Sequence, residues 1–404
     1  MAIPKLRFKD NKVREFPAWK EKKLGTLFSK IEKRNNNKSI SNVITNSAVY
    51  GLVKQRAFFD KDIANKENTD KYYVIENGDF VYNPRKSNEA PYGPIQMYEG
   101  KATGIVSPLY LCLKPSKKDM YLPFMKHYFH STVWHKFIYK NGDTGARGDR
   151  VSIKVQTLLN MPIFLPSLPE QQKIANFLSS YDSMIDNQSK RVEVLKLRKN
   201  GILQKIFSQE LRFRDNQGNE FPDWQSDNLL NRIEFEGGSQ PPASTFSRIK
   251  KEGYVRFIQN RDYKTDKFIT YIPLKLAKKF CDVDDIMIGR YGPPIFVIHK
   301  GIKGAYNVAL MKAMPVNLNK QYMYYYLQYR KLIRYIERLS RRTAGQDGFS
   351  PEILSGFPFF VPTSPEQQKI ADFLTAVDKQ IDVEEKRLET MKTIKKGLLQ
   401  QLFV

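Results

Sequence analysis

The sequence predicts a mixed α/β (α+β) protein with two pseudo-repeated globular domains, joined by two long helices that form an antiparallel coiled coil. Three observations carry this prediction. A 39-residue block occurs twice, a shorter block opens each half of the chain, and the regions between these blocks are rich in Tyr, Phe, Thr, Val and Gly with frequent turn signals. The 404 residues and 41% hydrophobic content are enough for two domains with cores of their own.

The long block lies at residues 169–207 and again at 365–403, and the two copies are identical at 21 of 39 positions. The short block reads LRFKDNKVREFPAW at 6–19 and LRFRDNQGNEFPDW at 211–224. The regions between them diverge, with only faint echoes such as VKQRAFFD beside IQNRDYKTD. Repeated blocks with divergent regions between them indicate two copies of one scaffold that carry different specificities.

Each long block has the heptad pattern of a coiled-coil helix. Apolar residues recur in alternating steps of four and three, which places them on one seam. Pro169 and Pro365 suit the first helical turn, and Glu170 and Glu366 complement the positive end of the helix dipole. The apolar seam comprises Ile174, Leu178, Tyr181, Ile185, Val192 and Leu195 in the first copy, and Ile370, Leu374, Val377, Ile381, Leu388 and Met391 in the second.

Polar residues interrupt the two seams at equivalent places, with Gln188 matching Glu384 and Lys199 matching Lys395. Such residues usually restrict the register and the oligomeric state of a coiled coil. A helix of this length, roughly 58 Å at about 1.5 Å per residue, needs a partner for its seam. The other copy is the available partner, and the domain between the copies favours an antiparallel arrangement. The alternative is two unrelated helices, each packed on its own domain.

The formal charge of +25 and the pI near 9.7 point to a polyanionic partner. Seven basic and four acidic residues in the first long block, and seven of each in the second, give the helices +3 and 0, so +22 lies elsewhere. The divergent domains, rather than the helices, should therefore face phosphate. Basic charge alone leaves DNA, RNA and an anionic membrane open.

The chain shows no signal peptide and no run of eighteen apolar residues, which predicts a cytoplasmic protein without a membrane partner. Only Cys112 and Cys281 occur, far apart, so we expect two reduced, buried thiols. Phosphate-loop, dinucleotide, zinc-protease and amino-methyltransferase motifs are absent. His127, His130 and His135 lie on an aromatic helical stretch, where they are expected to be packing or surface residues rather than metal ligands. The sequence thus predicts no catalytic residue and no metal ligand.

Several basic loop clusters have the chemistry to read DNA bases, because Arg pairs with guanine, and Asn or Gln with adenine. For each residue, the alternative is a solvated charge or a nonspecific phosphate contact. Arg85 and Arg290 both follow a predicted strand, which suggests equivalent contact loops. The candidates are Gln55, Arg56, Arg85, Lys86, Tyr92, Thr144, Arg147 and Arg150 in the first half, and Gln259, Asn260, Arg261, Arg290, Tyr291, Arg341, Arg342 and Gln346 in the second.

The motif PEQQKIAxFLxxxD, preceded by a Pro-rich strand and present both mid-chain and at 365–378, resembles the specificity subunit of type I restriction-modification systems. The resemblance covers the whole chain in its organisation. It implies two target recognition domains, each reading half of a split DNA site, and a helical spacer that fixes the gap. The implied boundaries are 1–168 for the first recognition domain, 169–210 for the first spacer helix, 211–364 for the second domain and 365–404 for the second helix.

The resemblance also implies the partners of the chain. These are duplex DNA, two modification subunits that carry S-adenosylmethionine and methylate adenine, and two restriction subunits with an ATP-driven, Mg-dependent translocase. No cofactor is expected on this chain. Three alternatives stay open: a bipartite DNA-binding regulator that acts alone, a scaffold whose basic charge is incidental, and a fused methyltransferase.

Overall fold

The computed structural model describes residues 3–55, 69–116, 119–144, 148–292, 294–340 and 348–404. Contacts divide the chain into two compact units. Unit 1 comprises Met1–Lys190 together with Lys386–Val404, and unit 2 comprises Arg191–Glu385. Unit 1 is therefore discontinuous in sequence. The linear domain boundaries proposed above describe segments of the chain and stay a prediction.

The divergent regions form short strands and short helices, as their turn-rich composition predicts. The first region contains strands β1 (Lys20–Lys23), β2 (Phe28–Lys30), β3 (Ile44–Ser47), β4 (Gly51–Lys54), β5 (Tyr73–Ile75), β6 (Phe80–Tyr82), β7 (Ile95–Met97), β8 (Gly104–Val106), β9 (Leu111–Pro115), β10 (Asp143–Thr144), β11 (Val151–Ser152) and β12 (Pro162–Leu165), and helices α1 (Leu24–Leu27), α2 (Leu122–His130), α3 (His135–Asn141) and α4 (Val155–Leu159). The first long helix, α5, is Leu168–Phe207.

The second region repeats this plan with different lengths. It contains strands β13 (Gln225–Asp227), β14 (Ile233–Gly237), β15 (Tyr254–Ile258), β16 (Tyr271–Pro273), β17 (Phe280–Cys281), β18 (Ile286–Gly289), β19 (Val297–His299), β20 (Gly304–Tyr306), β21 (Leu310–Pro315) and β22 (Phe359–Val361), helices α6 (Leu229–Arg232), α7 (Lys320–Tyr326) and α8 (Arg330–Ser340), and short 3₁₀ turns, among them Asn260–Tyr263 and Pro351–Gly356. The second long helix, α9, is Ser364–Leu402.

Both units are built on the same antiparallel sheet. Its strand order is β2-β9-β6-β7 in unit 1 and β14-β21-β18-β19 in unit 2. The inner strands β6 and β18 are buried along their whole length, which explains their continuous apolar sequences FVY and IMIG. A second antiparallel pair, β1 with β12 and β13 with β22, precedes each long helix. The repeat thus extends through the regions where the sequence identity is lost.

Two short helices pack on each central sheet, and their buried positions match at a constant offset of 198 residues. In unit 1, Phe124, Met125, Tyr128, Trp134 and Ile138 are buried, and in unit 2 the same positions are Tyr322, Met323, Tyr326, Leu332 and Ile336. The helical stretches that the sequence suggested near 121–139 and 320–341 each form two helices, α2 with α3 and α7 with α8. The burial pattern therefore aligns the two units residue by residue.

The two long helices run antiparallel within each unit, which confirms the predicted fold class. In unit 2, Arg191 pairs with Glu384 at 2.8 Å and Lys199 with Asp378 at 2.6 Å, so numbers rise along one helix as they fall along the other. In unit 1, Lys395 forms the equivalent ion pair with Asp182. The polar interruption at Lys199 and Lys395 is thus a pair of matched salt bridges between the helices.

The apolar seam residues are buried or half-buried. Gln188 and Glu384 on the same seam are also buried, at 8% and 7% exposure. The fully or nearly fully buried members of the seam are Ile174, Leu178, Val192, Ile370, Leu374, Ile381 and Leu388, while Tyr181, Ile185, Leu195, Val377 and Met391 are half-buried.

The short repeated block holds the first turn of each long helix. Arg7 donates two hydrogen bonds to the Glu170 carboxylate, at 3.0 and 2.8 Å, and Arg212 donates two to Glu366, at 2.8 and 3.1 Å. Both glutamates are 0% exposed. The sequence suggested only a dipole effect for these acids, whereas their main partner is an arginine about 160 positions away in the chain.

Candidate nucleic-acid interface

In unit 1, two of the predicted contact clusters meet at one edge. Arg85 forms an antiparallel bridge with Arg150, and the flanking hydrogen bonds run from Lys86 N–H to Asp149 O at 2.8 Å and from Val151 N–H to Pro84 O at 2.9 Å. The Arg85 side chain is 69% exposed, and its Nε lies 3.9 Å from Asp149 Oδ2. Two loops about 65 residues apart in sequence therefore present their basic side chains together.

Tyr92 belongs to the turn beside this edge. The next residue, Gly93, has φ +80°, and a Cβ there would lie 2.1 Å from the carbonyl oxygen of Asn83, so only glycine fits. The Tyr82 hydroxyl donates to the Tyr92 carbonyl at 2.8 Å, and the Tyr92 ring packs on His135 at 5.0 Å between centroids. Tyr92 is half-buried, which makes it a support for the loop as well as a candidate contact.

The other predicted residues of unit 1 lie on a separate hairpin, close to this edge, or outside the described residues. Gln55 follows β4, and its N–H donates to Val43 O at 3.0 Å, at the end of the β3-β4 hairpin opposite its turn. The backbone of Thr144 pairs with Val151, close to the Arg85 bridge. Arg56 and Arg147 lie outside the described residues, as do Arg341, Arg342 and Gln346 of the second half.

In unit 2, Arg290 is fixed by contacts on both sides. Its N–H donates to Ala309 O at 2.9 Å, its carbonyl accepts from Phe349 N–H at 2.9 Å, and its Nε donates to Phe349 O at 3.3 Å. The guanidinium also lies over the Tyr291 ring, 5.2 Å from its centroid. Because Nε is engaged, the Nη groups are the donors that no described residue occupies. The guanidinium of Arg290 is thus held in one orientation, with its two Nη groups as the remaining hydrogen-bond donors.

Tyr291 bridges antiparallel to Gly348, as Arg85 bridges to Arg150. Arg85 and Arg290 therefore occupy the same strand end, but they differ by one position in the bridge register. The residue at the bridge position is Arg85 in unit 1 and Tyr291 in unit 2. The shared edge consequently presents different chemistry in the two units.

Asn260 packs against Gly289, the last residue of β18, next to this edge of unit 2. Its Oδ1 lies 2.7 Å from His299 Nε2, a hydrogen bond that the Nε2–H tautomer donates, and His299 stacks on Tyr263 at 4.2 Å. Burial lowers the pKa of His299 to about 4, so the ring is neutral near pH 7. A Cβ on Gly289 would lie 2.8 Å from Asn260 Oδ1, so the strand end and this amide are packed closely.

Gln259 and Arg261 flank Asn260 with different roles. The Gln259 N–H donates to the Asp262 carboxylate at 3.0 Å, which caps the following 3₁₀ turn. Arg261 is exposed, with its guanidinium 5.2 Å from the Phe268 ring centroid. Of these three predicted residues, Arg261 is the one whose side chain is open to a partner.

The faint echo between VKQR and IQNR does not mark equivalent positions. In unit 2, Phe257 pairs in parallel with Ala305, and in unit 1, Val43 makes the corresponding parallel bridge to Ile105. Three residues later in each unit stand Asn260 and Asn46. Sequence reasoning missed Asn46, which is buried and donates from Nδ2 to Val81 O at 2.7 Å. The signal that would have found it is the shared pattern of VITN and FIQN.

The histidine cluster serves packing and helix contacts. His127 is 1% exposed, its Nε2 lies 3.1 Å from Ser179 Oγ, and burial lowers its pKa to about 4. In unit 2, Tyr325 takes this place and donates to Asp378 at 2.8 Å. Among the described residues, no group of three or more His, Cys, Asp and Glu side chains is placed to hold a metal.

The two cysteines are free and buried. Burial raises the pKa of Cys112 to about 12 and that of Cys281 to about 11. Both thiols are therefore protonated and weakly reactive near neutral pH. None of the described helices is long and apolar enough to span a membrane.

The family model and the relatives that match this chain all carry the description of a type I restriction specificity domain or subunit. The family model of the type I restriction modification DNA specificity domain matches twice, at residues 18–197 and 223–393. A protein of Methanocaldococcus jannaschii named as the type I restriction enzyme MjaX specificity subunit is 28% identical over 361 residues, covering 83% of this chain and 80% of that protein. The MjaVIII specificity subunit of the same organism is 22% identical over 369 residues, with the same coverage.

Solved structures share the fold. The S subunit of a type I restriction-modification system from M. genitalium aligns with a TM-score of 0.53 at 17% identity, covering 100% of this chain and 99% of that one. A chain from a study of complex assembly and conformational transition of the type I R-M system aligns with a TM-score of 0.58 at 16% identity, covering 96% and 98%.

Proposed function

The chain belongs to the type I restriction modification DNA specificity family, and on this premise we propose that each of its two units reads one half of a split duplex DNA site. The chain is the recognition component and has no catalytic role of its own. The observation that carries the proposal is the repeated scaffold. One sheet and one strand-end edge are built twice, and that edge presents Arg85 and Arg150 in unit 1 but Arg290 and Tyr291 in unit 2.

Charge and hydrogen-bonding capacity support this assignment. The charge outside the two repeated helices is +22, which is suited to the phosphates of a duplex. Arg290 keeps its Nη donors available while Nε and the backbone are fixed, which suits a bidentate contact to guanine O6 and N7 in the major groove. Arg85 is more exposed and lies beside Asp149, which suits a phosphate or an adaptable base contact.

We further propose that the helices α5 and α9 dock the other subunits of the enzyme. These are two modification subunits, which hold S-adenosylmethionine and methylate adenine, and two restriction subunits, which hold ATP and Mg and move DNA. This assembly would act in the cytoplasm. Exposed apolar side chains on the helices, including Met184, Leu197, Val383 and Ile394, are available for such contacts.

The proposal is tested by exchanging the two divergent regions within this chain. In one chimera, residues 225–355 are replaced by a second copy of 20–160, and in the matched control, 20–160 is replaced by 225–355. Each chimera is expressed with its modification subunits, and methylated adenines are mapped across a genome. We expect two half-sites of the first kind from one chimera and two of the second kind from the other.

An unchanged split motif in both chimeras would refute the assignment of one half-site to each unit and would favour a scaffold role. Tight, specific binding by the wild-type chain without modification subunits would instead favour a regulator that acts alone.

A further inference from the structure

Helix α8 (Arg330–Ser340) carries a row of arginines on its outer face. Arg330, Arg334 and Arg338 are exposed, while Leu332 and Ile336 are buried in the core of unit 2. Residues four apart lie on one face of a helix, about 6 Å apart along its axis. The three guanidinium groups therefore form a basic ridge, the name we use for Arg330, Arg334 and Arg338.

The ridge is not explained by ion pairs. Within the part of the chain that the structure describes, none of its three exposed arginines forms a salt bridge, although Arg338 lies 5.7 Å from the centroid of the Tyr335 ring. Like charges at this spacing repel one another and weaken a helix. The ridge therefore adds no ion-pair stabilisation to α8 among the described residues, and its guanidinium groups are open to a partner.

In the sequence, helix α8 is followed by the segment that pairs with the candidate edge of unit 2. Helix α8 ends at Ser340, and after residues 341–347 the chain resumes at Gly348, which bridges Tyr291. Phe349 then donates its N–H to Arg290 O and accepts from Arg290 Nε. Gly348 and Phe349, which contact Tyr291 and Arg290, therefore follow the end of α8 by eight and nine positions in the sequence.

Unit 1 has the same arrangement in different residues. At the offset of 198 that aligns the buried positions, Arg334 and Arg338 correspond to Lys136 and Lys140 of α3, and both lysines are exposed. The chain then continues to Arg150, which bridges Arg85. Two divergent sequences thus keep basic residues at one place in the scaffold, a second and independent observation.

We propose that the basic ridge of α8, and Lys136 with Lys140 in unit 1, bind phosphates of the DNA backbone next to each half-site. This inference rests on the proposed function. Guanidinium groups pair with phosphate oxygens through two parallel hydrogen bonds, and such contacts position a protein on DNA without reading its sequence. The ridge therefore contributes affinity, whereas the strand-end edge contributes specificity.

The test uses the full chain assembled with its modification subunits and measures binding to a cognate duplex and a scrambled duplex over a series of KCl concentrations. The first variant carries Arg330→Gln, Arg334→Gln and Arg338→Gln, and the matched control carries Lys at the same three positions. Each lost phosphate contact flattens the slope of log K against log salt by about 0.9. We expect a change of about 2.7 for the Gln variant and little change for the Lys variant.

The methylated motif should be the same in wild type and in both variants, and thermal melting should show that the variants remain folded. A second variant, Lys136→Gln with Lys140→Gln, should flatten the slope by about 1.8. An unchanged slope in the Gln variants, or an altered motif, would overturn the phosphate assignment. If the wild-type complex does not prefer the cognate duplex, the proposed function itself fails, so the two failures are distinguishable.

Discussion

Two buried glutamates, Glu170 and Glu366, show how single residues hold this scaffold together. Each carboxylate lies in the first turn of a long helix and is 0% exposed. A carboxylate removed from water is tolerated only when it is paired and hydrogen-bonded, and Arg7 and Arg212 supply the partners. The two sites differ in one respect. Trp224 Nε1 donates to Glu366 at 2.9 Å, whereas Trp19 Nε1 has no hydrogen-bond partner among the described residues.

We predict that Arg7→Ala destabilises unit 1 by roughly 3–5 kcal/mol, because it leaves a buried charge unpaired. Arg212→Ala should cost less in unit 2, since Trp224 still donates to Glu366. Urea unfolding of both variants measures the difference. The control adds Glu170→Gln to Arg7→Ala, which removes the buried charge and should restore part of the loss. Equal costs for the two arginine variants would show that the Trp224 hydrogen bond does not matter.

At the residue scale, the sequence identified which residue types could contact DNA better than it identified where they lie in the fold. Arg85, Lys86 and Arg150 come together because two loops meet in a bridge, and no local pattern shows which strand end each loop reaches. The local similarity of VKQR and IQNR matches Gln55 with Asn260, but strand pairing makes Asn46 the equivalent of Asn260. Pairing of this kind depends on contacts that are distant in sequence, which a single chain does not reveal without structure.

At the scale of elements, the long helices were the most predictable part of the fold. Their heptad spacing, their entry prolines and the repeat at an offset of 196 give the bounds to within about two residues. The short strands could not be placed in the same way, because β6 and β18 are buried runs of three or four residues without alternation. Their sheet order became recognisable as a repeat only through the pairing of β6 with β9 and of β18 with β21.

We predict that the paired helices set the gap between the two half-sites. Inserting one heptad after Ser183 in α5 and one after Lys379 in α9 keeps the apolar seam continuous in both helices. At about 1.5 Å per residue the insertion adds about 10 Å, close to three base pairs at about 3.4 Å each. Mapping of methylated adenines should then show the original half-sites separated by about three more base pairs.

The matched control for this prediction inserts the heptad in α5 alone. It takes the ion pair of Lys199 with Asp378 out of register with that of Lys395 with Asp182, so that only one of them can form, and it should lower stability and activity without giving a new gap. Retention of the original gap by the double insertion would show that the helices do not act as the spacer.

At the scale of the whole molecule, the two units are interleaved in sequence. Unit 1 includes the end of α9, where Phe403 packs against Phe124 and Tyr128 with ring centroids 5.2 and 5.8 Å apart, and Leu402 is fully buried. The equivalent contacts of unit 2 come from the end of α5, where Phe207 packs against Tyr322 and Tyr326. Each core is therefore completed by a helix that follows the other divergent region.

This interleaving predicts that a chain ending at Glu385 loses the folded state of unit 1. Removing a buried Leu or Phe side chain costs about 2–5 kcal/mol, and the truncation removes both Leu402 and Phe403, a large part of a typical stability of about 5–15 kcal/mol. In a Trp224→Phe background, fluorescence reports only Trp19 and Trp134, which both belong to unit 1. Their unfolding transition should disappear in the truncated chain and return when a peptide of residues 386–404 is added.

The same peptide carrying Leu402→Ala and Phe403→Ala is the matched control and should not restore the transition. In the reciprocal background, with Trp19 and Trp134 changed to Phe, Trp224 reports unit 2, whose core receives its aromatic contacts from Phe207. That transition should survive the truncation at a similar urea concentration. If unit 1 unfolds at the wild-type midpoint without the peptide, its core is complete without residues 386–404, and the dependence of unit 1 on the end of α9 is refuted.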